Sequence, residues 1–448
     1  MAIPLLKETR TLANARAMSA DAPGFLLATG LREGPLFRIG VGPLTLNVVA
    51  EPDALQQVLQ KQARAWGRGT AVKSIRPLLG NGLPMSDPPL WLTQRRTMQP
   101  SFHRSNGSQW VHVIRDVTTP LLDQLTDGKT FTARHLMMTI ARDVIVRAMF
   151  SHSLGNDTHL MDQAFEEVEA YVSNSMKPGR IPSWVPTPTN LRFKRAATYL
   201  HSHLQQIIET RRKDEAPPSD LLTLLLRARD PETGAGMSDS QLRDEVMNIF
   251  FAGHETTANL MTWAFFLLSQ HPDVLARAEA EVQTVLGSRP PEPDDVPKLK
   301  YLGAVIRETL RIYPPAWLFA RQALEPQQLA GHVFIPGEVV LIVPYITQRL
   351  STLWKNPNTF DPERFAADQS TDAAAWKYTY LPFGAGPHVC IGNHFALLEA
   401  TLVLALMMQR GRLEVPKPQE VRAKMGATLF VENALPVRFV KRLGRRMT

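Results

Sequence analysis

The sequence predicts a mainly α protein with a smaller β part, an α+β chain forming one large domain over its 448 residues. Three observations carry that reading. From about residue 51 to 315 the apolar positions fall three and four apart, the period of one helical face. Two stretches, about 1–70 and 316–350, carry short runs of β-branched and aromatic residues instead. No Gly-, Ser- or Pro-rich linker separates the two patterns.

The elements follow in order. To about residue 50, turns alternate with the β runs "LFRIGV" and "LTLNVVA". Helical spacing begins at "EPDALQQVLQKQ". At 181–189, "IPSWVPTPT" packs its prolines too closely for a helix, so it reads as a loop. The longest predicted helix starts at Ser238, which forms a capping box with Gln241, and stops at Pro272. At about 30 residues it is roughly 45 Å long and would cross the domain. Between 316 and 350 the runs become β-like, as in "HVFIPGEVVLIV", and after Cys390 "HFALLEATLVLALMMQR" returns to helix.

Composition is that of a globular protein, 44% hydrophobic and 21% charged. One cysteine excludes an internal disulfide and suits a reducing compartment. No run of about 18 apolar residues exists to cross a bilayer, and the N-terminal run lacks a cleavage site. The expectation is a soluble, cytoplasmic monomer. The net charge is +8, but the basic residues are scattered and accompany no nucleic-acid motif, so nucleic acid is not an expected partner. A solvated surface is the plain reading of the excess, and a docking face for an acidic protein partner is the functional alternative.

Two places break local rules. The long helix carries Gly253, His254, Glu255, Thr256 and Thr257 at its centre, where a core-crossing helix should be apolar. A helix-interior glycine costs about 1 kcal/mol and a buried carboxylate more, so this stretch reads as a functional site. The second place is "LPFGAGPHVCIG", which sets Cys390 among Gly384, Gly386 and Gly392.

Several chemistries compete for these residues. His254-Glu255 begins the zinc motif H-E-x-x-H, but Ala258 stands where its second histidine belongs. Cys390 and His394 share a helical spacing, yet a structural zinc wants four ligands. A cysteine protease would need a His-activated thiolate, which nothing local supports. An inert buried thiol is the plain alternative. A haem iron held by one thiolate fits better, because glycines let backbone approach a flat macrocycle. A helix starting near Ile391 would also favour thiolate over thiol.

Phe383, Gly384 and Gly386 through Cys390 and Gly392 resemble the haem-binding loop of the cytochrome P-450 monooxygenases. Ala252 to Thr257 resembles that family's oxygen-activating groove, and Glu308 and Arg311 its E-x-x-R pair. Arg364 in "DPERF" resembles the cluster's third member, and Trp91 and Arg95 the W-x-x-x-R of a haem-flanking helix. The resemblance implies a triangular helical domain enclosing haem b, iron protoporphyrin IX, with Cys390 as axial thiolate. It implies Trp91, Arg95, Arg321 and His388 as propionate contacts, with Phe383, Gly384, Gly392 and Ala252 lining the cofactor. It makes Glu308, Arg311 and Arg364 structural, and Glu255 and Thr256 catalytic, relaying protons through a helix break at Gly253. Most of the family has arginine where His388 stands, so charge at that position is expected to vary with pH.

The implied activity inserts one oxygen atom from O2 into a large hydrophobic substrate. Electrons would come from a ferredoxin or flavodoxin and an NAD(P)H-dependent reductase. A hydrogen-peroxide-dependent peroxygenase of the same fold is the alternative, though such enzymes generally lack the acid–alcohol pair. A non-catalytic haem-thiolate sensor is another. Apolar residues fall in the segments that line the family's pocket: Leu83, Met85, Trp184, Phe250, Phe251, Trp317, Leu318 and Leu429. Such a wall binds by buried apolar area, at roughly 25 cal/mol per Å2. "RIYPPAW" and "PYITQR" are similar to runs in bacterial carotenoid ring hydroxylases, which puts terpenoids and carotenoids ahead of fatty acids and polyketides.

Overall fold

The computed structural model describes residues 11–42, 44–69, 75–151, 158–175, 181, 185–366 and 376–442. Its longest element is α10, Asp239–Gln270, beginning where Ser238 Oγ accepts the Gln241 N–H at 3.2 Å. Around it pack α6 (Ala133–Phe150), α12 (Lys300–Ile312) and α15 (Asn393–Arg410), and α5 (Gly107–Asp123) packs in turn on α6 and α15. Two more helices, α7 (Thr158–Ser175) and α8 (Pro188–Lys213), pack on each other, with α8 also against α10. The loop predicted at 181–189 gives way to helix at Pro188. Proline is tolerated there because the first helical turn lacks hydrogen-bond acceptors, and Thr187 caps the turn. Trp184 lies outside the described residues.

A five-stranded sheet runs β1 (Leu36–Val41), β2 (Leu44–Val49), β8 (Val339–Ile342), β5 (Phe319–Ala323) and β3 (Trp66–Gly67). The β1–β2 hairpin is antiparallel, whereas β2 pairs in parallel with β8, Val48 opposite Leu341. Alternate residues of β1 are buried, the period expected of a sheet with one face on a core. Smaller sheets join β4 (Thr130–Thr132), β12 (Pro436–Lys441) and β9 (Gly411–Glu414), and pair β10 (Ala423–Met425) with β11 (Leu429–Val431). Strands β6 (Gln327–Leu329) and β7 (His332–Phe334) form another hairpin.

The expected β-rich N-terminus needs correction. Helix α1, Thr11–Glu33, precedes the first strand. Asp21 leaves helical geometry (φ −154°, ψ 83°) and its carboxylate accepts the Gly24 N–H at 3.0 Å. Asp21 thus caps the second half of α1, which tolerates Pro23 in its first turn. The residues that read as a turn restart a helix.

Candidate active site

Four short elements converge on the Cys390 loop. They are the turn after β3, helix α4 (Leu90–Met98), strand β5 and the turn at Gln348. The loop itself is held by backbone bonds, Cys390 N–H to Phe383 O at 2.9 Å and Gly384 N–H to Leu381 O at 3.0 Å. Gly384 and Gly386 have φ of +70° and +69°, values that favour glycine. A Cβ on Gly386 would lie 1.8 Å from the Leu59 carbonyl oxygen, while one on Gly384 or Gly392 would meet nothing within 4 Å. One glycine lets the loop seat on the neighbouring turn. The other two leave a bare wall beside the sulfur.

Cys390 is exposed, and Phe383, His388 and Gly392 around it are half-buried. Although the residue opens onto the surface, the protein packed around its sulfur desolvates it and pushes its thiol up. The Gly392 N–H and Arg95 pull the other way without winning. Sequence reasoning expected a helix terminus to favour thiolate, but α15 starts only at Asn393. A metal ion bound at the sulfur would hold it deprotonated. No group of three or more His, Cys, Asp or Glu side chains offers a metal site among the described residues.

Helix α4 is fastened to the loop twice. Arg95 Nη1 donates to Val389 O at 2.8 Å, and Trp91 lies against the His388 ring, centroids 3.9 Å apart. Arg68, which no motif marked, donates from Nη2 to His388 Nδ1 at 3.0 Å. Desolvation lowers Arg68 to about 10 and Arg321 to about 9, each further lowered by another arginine and opposed by Asp87. Three guanidiniums, Arg68, Arg95 and Arg321, thus gather around one carboxylate, a surplus of two positive charges. A flat group bearing two carboxylates fits that donor set beside an exposed sulfur. At His388 the surrounding protein groups by themselves oppose a positive charge. Burial first, then Arg68, Arg321 and Arg95, push the imidazole down to about 2, and it accepts rather than donates towards Arg68.

The Glu308–Arg311 pair is wholly buried and bidentate, Nε and Nη2 each 2.7 Å from a carboxylate oxygen. Arg311 also donates to the carbonyls of Gln348, Pro357 and Thr359, and Arg364 Nε reaches Glu308 at 3.3 Å. Gln348, missed in the sequence, donates to Leu310 O and Arg311 O and accepts the Leu381 N–H at 2.7 Å. It links the cluster to the start of the cysteine loop.

On α10, Ala252 is exposed, and Phe251, Gly253 and Thr256 are half-buried within a helix otherwise sunk in the core. No break occurs at Gly253: the helix is continuous through it. A Cβ there would press on Ile145 at 3.3 Å, so the glycine serves the packing of α6. Thr256 Oγ1 donates to Ala252 O at 2.7 Å. Glu255 is buried and accepts from Thr428 Oγ1 at 2.7 Å, with Arg134 Nη2 at 3.5 Å. Asn259 joins Thr428 and Arg134 at 2.8 and 3.1 Å. Burial raises the Glu255 carboxyl above its usual range, and Thr428, Arg134 and Asn259 oppose the rise. His254 is neutral, pushed down to about 3 by burial, then by Arg142 and Arg134.

Of the expected pocket residues, Phe250, Trp317 and Leu429 are absorbed by the core, Phe250 stacked on Phe165 at 4.3 Å. Leu83 and Met85 are also buried, and Phe251 and Leu318 are half-buried. Two signals for the missed residues were present. Arg68 stands between Gly67 and Gly69, and Asn259 lies four residues after Glu255 on one helical face.

A family model for cytochrome P-450 matches residues 29–439. The chain is 34% identical to cyclooctatin synthase of Streptomyces melanosporofaciens, over 96% of its own length and 93% of that protein. It is 33% identical to pentalenene oxygenase of Streptomyces avermitilis, with 91% of each chain covered. Carotene epsilon-monooxygenase of Arabidopsis thaliana is 28% identical over 91% of this chain and 80% of that one. The chain belongs to the cytochrome P-450 family, whose members bind haem through a cysteine thiolate. It is an oxidoreductase of the monooxygenase type. No helix among the described residues is long and apolar enough to cross a membrane.

Proposed function

We propose that this chain binds haem b through the Cys390 thiolate and oxygenates a large hydrophobic terpenoid or carotenoid. The exposed sulfur beside a three-arginine, one-carboxylate cradle supports the cofactor assignment most directly. Arg68, Arg95 and Arg321 would hold the two propionates, and Trp91 would fix the loop through His388. Haem held there supplies an iron whose thiolate ligand favours O–O cleavage.

The protein's own share is proton handling and exclusion of water. Thr256 Oγ1 donates a hydrogen bond to Ala252 O and can turn that O–H instead across the half-exposed face of α10. Glu255 keeps a proton more readily than an ordinary carboxyl and adjoins Arg134, whose side chain is 20% exposed, so that route runs towards solvent. Phe251 and Leu318 present partly uncovered apolar surface suited to a hydrocarbon skeleton. The names of the three relatives, two for terpenoid chemistry and one for carotene, favour the same class. Electrons would arrive from a ferredoxin or flavodoxin served by an NAD(P)H-dependent reductase.

The test is spectroscopic. Reduced protein with carbon monoxide should show the red-shifted Soret band of thiolate ligation, and Cys390→Ala should abolish it. Terpenoids should shift the resting spectrum, whereas small charged compounds should not. Thr256→Ala should keep haem and substrate binding while diverting reducing equivalents from product to peroxide. Folded, haem-free protein would overturn the cofactor assignment. A spectrum moved only by small charged compounds would overturn the substrate class.

A further inference from the structure

A second cavity lies apart from the α10 face, between the start of α5, the segment before α12, α12 itself and α15. Its volume is about 810 Å3, within the range of small-molecule pockets. Its floor is apolar: Trp110, Ile306 and Leu397 line it, and Gly107 and Gly303 leave the wall bare on two sides. A Cβ at Gly107 would meet nothing within 4 Å, and one at Gly303 only the Arg307 guanidinium at 3.8 Å.

The polar part of the lining has one sign. Arg104, Lys300 and Arg307 border the cavity, and among the described residues no Asp or Glu does. None of the three is paired with a carboxylate among the described residues. Arg104 Nε reaches the His394 ring at 3.1 Å instead, and burial with Arg104 and His103 keeps that ring below its usual pKa. Two acids of the segment before α12 are engaged elsewhere: Glu292 with Arg115, Asp295 with Arg289 and Lys298. Helix α5 opens onto the same cavity through Gly107 and Ser108, with no side chain capping its first turn. Its partial positive end adds to the field of the three cations.

A half-open cavity with an apolar floor, rimmed by cations that have no carboxylate partner among the described residues, calls for a ligand with an anionic head and a hydrocarbon body. We propose that this cavity is a second binding site, separate from the oxygenation pocket, for a small carboxylate-bearing amphiphile. The carboxylate sits among Arg104, Lys300 and Arg307, and the apolar stem lies over Trp110, Ile306 and Leu397.

The probe is radiolabelled palmitate, in equilibrium dialysis against haem-loaded protein whose iron is blocked by excess 4-phenylimidazole. One equivalent per chain should be retained. An Arg104→Gln, Lys300→Gln double variant should weaken retention by about tenfold or more, as loss of charge-assisted contacts does. Gly303→Leu should weaken it by filling the cavity, and Gly107→Leu tests the opposite wall if the first variant does not fold. Palmitate methyl ester should bind markedly less well. Absence of retention with the iron blocked would overturn the proposal, as would retention indifferent to the charge and filling variants. So would variants that spare palmitate but weaken an acidic electron carrier, which would make the cavity a protein anchor.

Discussion

Arg68 and His388 stand 320 residues apart in the chain and meet at 3.0 Å, guanidinium Nη2 to imidazole Nδ1. The contact moves the positive charge from the cysteine loop, where the family usually carries it, to the turn after β3. Arg68→Gln should therefore speed haem transfer to an apomyoglobin trap by about tenfold, the scale of one charge-assisted hydrogen bond. Adding His388→Arg should restore much of the retention. Equal transfer rates in all three proteins would remove Arg68 from the cofactor site.

The Glu308–Arg311 pair has no exposed side-chain surface on either partner. Removing one member strands a buried charge, so Glu308→Gln or Arg311→Leu should cost about 3–5 kcal/mol. Arg364→Ala should cost about 1 kcal/mol, because that side chain keeps 12% of its surface and a longer contact. Urea unfolding of the three variants measures the difference. Similar losses would mean that the pair draws no special weight from burial.

Gly384 and Gly386 share a left-handed backbone but not a neighbourhood. Gly384→Ala should show only the conformational penalty, about 1–2 kcal/mol, with haem content nearly intact. Gly386→Ala adds the collision with the Leu59 carbonyl and should yield protein largely free of haem. The ratio of Soret to protein absorbance after purification decides it. Equal haem loading would show that the loop can lift off Leu59 without harm.

Glu245 is fully buried on α10, where its Oε2 accepts the Leu83 N–H at 2.8 Å and its Oε1 has no partner among the described residues. Burial pushes its carboxyl up to about 8, with Asp244 adding to the rise. The folded protein therefore holds a proton that the unfolded chain has released above about pH 4.5. Its favourable contribution is complete below that pH and is lost progressively as pH climbs to about 8. Glu245→Gln should be more stable than the parent at pH 8, on the order of 2–3 kcal/mol, and no more stable near pH 4.5. Thermal midpoints across that window check it. A constant offset at all pH values would mean that Glu245 does not titrate with unfolding.

The sequence made most visible the features built from neighbouring residues. Ser238 and Pro272 bracket α10 by cap and break, and Glu308 and Arg311 meet because three residues make nearly one helical turn. The glycines around Cys390 announced a close backbone approach by their identity. Features that depend on chain ends meeting left fainter marks. Arg68 reads as an ordinary surface arginine until β3 pairs with β5 and brings it beside His388. Glu255 was picked out for its place in the helix, but its partners Arg134 and Thr428 come from α6 and the turn before β11. Phe250 and Leu429 show the limit of composition. An apolar residue in a pocket-forming segment can as readily face the core, and only packing tells which.

The parallel pairing of β2 with β8 sets a timetable for the nascent chain. Asn47 Nδ2 donates to Val339 O at 2.9 Å across 292 residues of intervening sequence. At ribosomal speeds of about 5–20 residues per second, that partner is made roughly 15–60 s after Asn47. For that interval the β1–β2 hairpin has an open edge of the kind that recruits strands from other chains. Translation that stalls before residue 339 therefore leaves a sticky fragment, and the yield of this enzyme from a fast expression host should depend on chaperones that cover that edge.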